Sequence, residues 1–125
     1  MKNILSTYEA PQAIGAYSQA IETDNFVFLS GQLGLDPKTG KMVEGGVEEQ
    51  TEQAMKNILA ILKEAGLTVS NIVKTTIFMK DIADFTKIND VYAKYFAEGF
   101  PARSAIQIDA LPKGGLVEIE VIASK

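Results

Sequence analysis

The sequence predicts an α+β domain: a sheet of about six strands with two helices packed against one face. Three observations lead there. Residues 47–65 and 84–97 carry apolar side chains at helical spacing. Residues 18–23, 26–30, 72–79, 103–111 and 116–123 are β-branched or alternate apolar with polar side chains. Their order is β-β-α-β-α-β-β, with a short N-terminal strand as a further expectation. No repeat, low-complexity tract or linker divides the 125 residues, so 1–125 is read as one domain.

Pro11 and Gly15 mark residues 8–17 as a loop, and Asp24-Asn25 is the turn between the first two strands. Residues 31–46 are loop-rich, with a turn at Asp36-Pro37-Lys38-Thr39-Gly40. In the first helix Ala54, Met55, Ile58, Leu62 and Ala65 form the apolar stripe. Glu48, Glu49 and Glu52 complement its dipole at the N-terminal end, and Gly66 stops it. Ile-Val-Lys-Thr-Thr-Ile-Phe-Met at 72–79 reads as a strand. The second helix has the stripe Phe85, Ile88, Tyr92, Tyr95 and Phe96, all read as core, with Asp81 or Asp84 as cap. Pro112-Lys113-Gly114-Gly115 joins the last two strands. Ile106, Ile108 and Ala110 on one, and Val117, Ile119, Val121 and Ala123 on the other, are expected to meet the helices.

The sheet's second face then has no cover. Yet Phe26-Val27-Phe28-Leu29 is apolar on both sides, and Leu116 and Ile122 also point away from the helices. Such runs signal strands buried on both faces. Another copy of the chain is expected to supply that cover, giving an obligate oligomer; a monomer with some exposed apolar residues is the alternative.

Composition narrows the chemistry. The formal net charge of −4, with lysines interleaved among acids, argues against a nucleic-acid binder. No apolar stretch is long enough for a membrane span, and no secretory signal is visible at Met-Lys-Asn-Ile-Leu-Ser. The chain has no cysteine, so no disulfide framework exists and a cytoplasmic location is expected. With no histidine either, there is no catalytic triad and no usual zinc site; neither metal nor cofactor is expected. Carboxylates, tyrosines, hydroxyls, backbone amides, water and one arginine remain. A reaction run with these needs a substrate that is already electrophilic.

That arginine, Arg103, is the only one among twelve basic residues. Its planar fork binds a carboxylate through two parallel hydrogen bonds, which lysine cannot copy. It is either an anion clamp or half of a structural ion pair. Alternation puts Arg103 and Ala105 opposite Ile106 and Ile108, hence on the face away from the helices, toward the proposed interface. Glu118 and Glu120 alternate with the apolar residues of the last strand and are expected on that same face. Either could pair with Arg103 or handle a water. Tyr17 could bind a ligand or pack at an interface. Ser30-Gly31 could expose a backbone amide or be a plain turn. Asn89 could cap its helix or bond across an interface.

Several segments, in order and at matching spacing, resemble the RidA/YjgF family: Ala-Ile-Gly-Ala-Tyr-Ser-Gln (13–19), Ser-Gly-Gln (30–32), Asp-Pro-Lys-Thr-Gly (36–40), Ile-Val-Lys-Thr-Thr-Ile-Phe-Met-Lys-Asp (72–81), Phe-Pro-Ala-Arg-Ser (100–104) and Leu-Pro-Lys-Gly-Gly-Leu-Val-Glu-Ile-Glu-Val-Ile-Ala (111–123). The resemblance implies a chorismate-mutase-like fold with a mixed sheet, and a homotrimer with clefts between subunits. It also implies hydrolysis of reactive 2-imino acids, such as 2-iminobutanoate and 2-iminopropanoate, to 2-oxo acids and ammonia, a reaction that protects PLP enzymes. In its terms Arg103 holds the substrate carboxylate, assisted by the amide of Gly31, and Glu118 orients the attacking water. Tyr17, Ser30 and Asn89 match cleft residues. Two positions depart from many members: Ala16 replaces a proline, which should loosen the loop of Tyr17, and Ala105 replaces a cysteine, so no thiol can act there. A sensor of small carboxylates that does not turn them over would use the same residues. A ribonuclease or translation inhibitor is a further alternative that charge and the missing histidine oppose.

Overall fold

The computed structural model describes residues 2–97 and 99–125. Its strands are β1 (Asn3–Leu5), β2 (Ala20–Glu22), β3 (Phe26–Leu33), β4 (Ile72–Met79), β5 (Ala102–Gln107) and β6 (Val117–Ser124), with helices α1 (Val47–Glu64) and α2 (Phe85–Ala93). The strands form one sheet in the order β1-β2-β3-β6-β4-β5. Every neighbouring pair is antiparallel except β4 and β5, so the sheet is mixed, as expected. Parallel neighbours need a crossover, and α2 supplies it. α1 carries the chain from β3 to β4, and β6 enters the gap between them.

Both helices lie on one face. There Val27, Leu29, Ile77, Met79, Val117, Ile119, Val121 and Ala123 meet Ala54, Met55, Ile58 and Leu62 of α1 and Ile88 and Tyr92 of α2, all buried. The period-two and 3.6-residue patterns thus face each other, as read from the sequence. Leu116 packs against this core rather than pointing away from it. α1 ends as Gly66 takes φ +74, and the amides of Gly66 and Leu67 bond back to Lys63 and Leu62 at 2.9 Å each.

α2 is shorter than the expected 84–97. After Ala93 the amides of Lys94, Tyr95 and Phe96 bond three residues back instead of four, tightening the final turn. Asp81 caps the preceding turn, accepting from the Ala83 amide at 2.9 Å.

Polar groups inside α1 fix the loops. Asn57 is 1% exposed, and its Nδ2 donates to the carbonyls of Leu33 at 3.2 Å and Leu35 at 2.9 Å. Gln50 Oε1 accepts from the Leu116 amide at 2.8 Å. These bonds make the carbonyls and amides of the strand ends satisfied where burial would otherwise penalise them.

On the other face Phe26 and Phe28 are 41% and 42% exposed and Ile106 is 46% exposed. The sheet is therefore apolar on both sides and covered by its own helices on only one.

β5 corrects the sequence reading. It pairs with β4 so that Arg103 lies beside Thr75 and Ala105 beside Ile77, and both β4 residues are fully buried under the helices. Ala105 packs on the core and Arg103 reaches α2, while Ile106 takes the opposite face and Ile108 joins a small cluster with Leu33, Leu35 and Leu111. The expected phase of this strand is thus inverted. The rule that the more apolar side meets the helices fails here, because the pairing with β4 turns Ala105 and Arg103 to the helix side and leaves Ile106 outward.

Candidate active site

The expected site residues fall into two groups on opposite faces of the sheet. The first surrounds Glu118. It sits on β6 between Leu33 of β3 and Phe78 of β4, on the face away from the helices. The β3–β6 register breaks between Leu29 and Gln32, so Ser30 and Gly31 form an irregularity where the ladder had been read as ending. Such bulges re-aim side chains. A methyl on Gly31 would stand 2.8 Å from both Cδ and Oε1 of Glu118. The missing side chain at residue 31 is thus the space the carboxyl group occupies.

Burial pushes the Glu118 carboxyl above the usual carboxylate range, and the neighbouring charge of Glu120 adds to this. The group opens into a cleft of about 610 Å³ whose lining includes Tyr17, Ser30, Gly31, Glu118 and Glu120. Tyr17 is 53% exposed, and its phenol accepts one long bond, 3.4 Å, from the Ile14 amide.

A buried glutamine fixes the rim. Gln19 is 2% exposed; its Oε1 accepts from the Thr7 amide at 2.7 Å, and its Nε2 donates to the carbonyls of Thr7 at 3.0 Å and Pro11 at 2.7 Å. The Ser30 hydroxyl donates to the Ser18 carbonyl at 2.6 Å, and the Ser30 amide donates to the Gln19 carbonyl at 2.9 Å. Ser30 therefore clasps the segment that follows Tyr17.

The second group surrounds Arg103. Its Nη1 donates to Asn89 Oδ1 of α2 at 2.7 Å. Its guanidinium carbon lies 5.2 Å from the ring centroids of both Phe85 and Tyr92. The Tyr92 hydroxyl is locked against that of Thr75 at 2.8 Å. Burial raises the Tyr92 phenol above its ordinary value, with the Thr75 bond and the Arg103 charge working against that rise. Asn89, Tyr92, Phe100, Pro101 and Arg103 help line a separate hollow of about 400 Å³.

Among the described residues the ion pairs are Lys63–Glu9 and Lys125–Glu22, so neither Glu118 nor Glu120 of the same chain engages Arg103. The guanidinium is held by neutral groups, so no carboxylate among the described residues neutralises its charge. No group of three or more His, Cys, Asp or Glu among the described residues could hold a metal ion.

Periodicity alone assigns Phe85 and Tyr92 to the core. The signal that they belong to this site is their spacing with Asn89: residues 85, 89 and 92 stand on one helical face. Gln19 gave no comparable signal, because its partners are backbone atoms.

The family model described as endoribonuclease L-PSP matches residues 7–125. A bovine protein named 2-iminobutanoate/2-iminopropanoate deaminase is 54% identical over 123 residues, spanning 98% of this chain and 90% of its own. The crystal structure of a Yersinia pestis protein of the conserved Rid family, YyfA, superposes with a TM-score of 0.97 at 51% identity, covering all of both chains. That of Escherichia coli TdcF, solved with bound serine, superposes with a TM-score of 0.94 at 40% identity over 98% of each chain. Fold, length and motifs agree throughout, and the chain belongs to the RidA/YjgF family.

Proposed function

We propose that the protein hydrolyses 2-imino acids such as 2-iminobutanoate and 2-iminopropanoate to 2-oxo acids and ammonia, in clefts between the subunits of a cytoplasmic homotrimer. The observation that carries this reading is the division of the site: a guanidinium charge with no carboxylate on one face, and a protonatable carboxyl group on the other. One protomer cannot bring them together. A head-to-tail ring, in which the Arg103 side of each copy meets the Glu118 side of the next, does so at every interface. The exposed Phe26, Phe28 and Ile106 suit such a contact, and deaminases are among the relatives.

In this cleft Arg103 clamps the substrate carboxylate, with the Gly31 amide assisting. Glu118 accepts a proton from water as the oxygen bonds to the imine carbon and the C=N π pair moves to nitrogen. Glu118 gives that proton to the carbinolamine nitrogen and then takes the hydroxyl proton as the C=O bond forms and the C–N bond breaks; the departing ammonia carries this proton away and leaves Glu118 ionised. The products are a 2-oxo acid and ammonia. Positioning and proton transfer suffice because a protonated imine is already electrophilic. Tyr17 and Asn89 complete the cleft walls, while Ser30 acts through the loop it clasps. An RNA-cleaving reading has less support: the chain has no histidine and a net charge of −4.

The test couples the protein to a serine or threonine dehydratase and times 2-oxo acid release. Wild type should accelerate it, and Arg103→Ala and Glu118→Ala should not. Co-expressed as mixed oligomers, the two variants should regain about a quarter of the wild-type rate, since random assembly places both intact groups at that share of interfaces. A rate unchanged by wild-type protein, with carboxylate binding retained, would instead make it a sensor. No recovery on mixing would return both groups to a single subunit.

A second expectation concerns Gly31→Ala. The clashing atoms belong to the flexible end of Glu118, so the carboxyl group should swing aside with little effect on stability. A shift of this size in a proton-transfer group should slow deamination about tenfold or more. Parallel rate and thermal-melting measurements check it.

A further inference from the structure

We propose that Phe85 and Tyr92 are positioning residues for the reaction, forming an aromatic cradle that aims the Arg103 guanidinium at the substrate carboxylate. The inference rests on the reading of Arg103 as the carboxylate clamp. A long side chain half in solvent has many rotamers, and a clamp that must be ordered by its ligand loses affinity to that ordering. Here three contacts fix the fork beforehand. The two ring centroids lie 5.2 Å from the guanidinium carbon, and Asn89 Oδ1 takes one Nη1 hydrogen at 2.7 Å.

The cradle is itself anchored. Tyr92 is 2% exposed and bonded to Thr75, which stands beside Arg103 across the β4–β5 ladder. Helix, strand and arginine therefore share one rigid frame. All three contacts are neutral. An acidic residue would hold the arginine more tightly but would consume the charge that the anion needs. π faces and an amide oxygen orient the cation and leave it a cation. A lysine ammonium, lacking the plane, could not be oriented in this way.

The single arginine makes the proposal directly testable, because its Nε–Hε group gives one NMR signal of its type without any assignment work. In wild-type protein this signal should carry a ring-current displacement and show cross-peaks to the Phe85 ring. Phe85→Leu keeps apolar volume and removes the π face. It should move the arginine signal toward its free position and weaken binding of 2-oxobutanoate, used as the carboxylate probe, by about 3- to 30-fold. KM should rise with kcat nearly unchanged, and Phe85→Tyr should restore both signal and affinity.

An unmoved arginine signal with unaltered 2-oxobutanoate affinity in Phe85→Leu overturns the proposal. Should that variant fold poorly, missing Phe85–Arg103 cross-peaks in the wild type overturn it equally. Arg103→Lys separates the two levels. If it binds 2-oxobutanoate as wild type does, the clamp reading falls and takes the cradle with it. If it loses binding while Phe85→Leu does not, the cradle alone falls.

Discussion

Arg103→Lys should lower kcat/KM for a 2-imino acid by about 100-fold, although the formal charge is unchanged. Lysine offers a point charge on a flexible stem, so one of two parallel charge-assisted hydrogen bonds is lost. It also cannot lie flat on Phe85 and Tyr92 or keep the angle at which Asn89 Oδ1 receives Nη1. The effect should be confined to function. Arg103 is exposed on the edge strand β5, and the Thr75–Tyr92 bond beneath it stays in place. Steady-state kinetics beside a thermal melt check this: near-wild-type activity, or a loss explained by a lower melting temperature, would count against the clamp.

Glu118→Gln should reduce deamination by about 100-fold or more, the share of a positioned proton-transfer group. Unusually for a site variant, it should also raise the melting temperature at neutral pH. Burial, aided by Glu120, holds the Glu118 carboxyl above its ordinary range. The folded state then binds this proton more tightly than the unfolded state. Its favourable contribution is complete below the ordinary carboxylate pKa and is lost as pH rises through the raised value. At neutral pH the ionised group opposes folding, and glutamine relieves that opposition. Two pH series check the sign. The melting advantage of the variant should vanish below about pH 4, where both forms are uncharged. Wild-type deamination should fall as pH drops through the raised Glu118 value, since the base must be ionised to accept a proton. A variant still active would remove Glu118 from the role, and one less stable at neutral pH would show that the neighbouring copy's Arg103 outweighs burial at this carboxyl group.

Much of this was legible in the residues. α1 and β6 follow from periodicity because each has one apolar stripe, β4 follows from its β-branched run, and the outward direction of Glu118 follows from that of Val117 and Ile119. β5 was legible as a strand but not in its phase. Its exposed side carries Ile106, and its helix side carries Ala105 and the arginine, so hydrophobicity pointed the wrong way. Only the pairing with β4 decides it, and that pairing is non-local. The β3 irregularity was hidden for a related reason. Ser30-Gly31 looks locally like an end, whereas partners on β6 carry the strand on to Leu33. The buried Asn57 and Gln19 left no trace, since what they bond is main chain distant in sequence. Motif resemblance offered the candidate site residues as a set but said nothing of their separation onto two faces.

The space at Gly31 also limits the substitutions open to this chain. Glu118 occupies the volume that a methyl on residue 31 would need, with 2.8 Å left between them. Growth at 31 therefore displaces the carboxyl group, and an aspartate at 118 would not free the space, since its carboxyl would start at the Cγ position, 3.0 Å from the added methyl. The two positions are held to each other, on adjacent strands, by the room for one carbon atom.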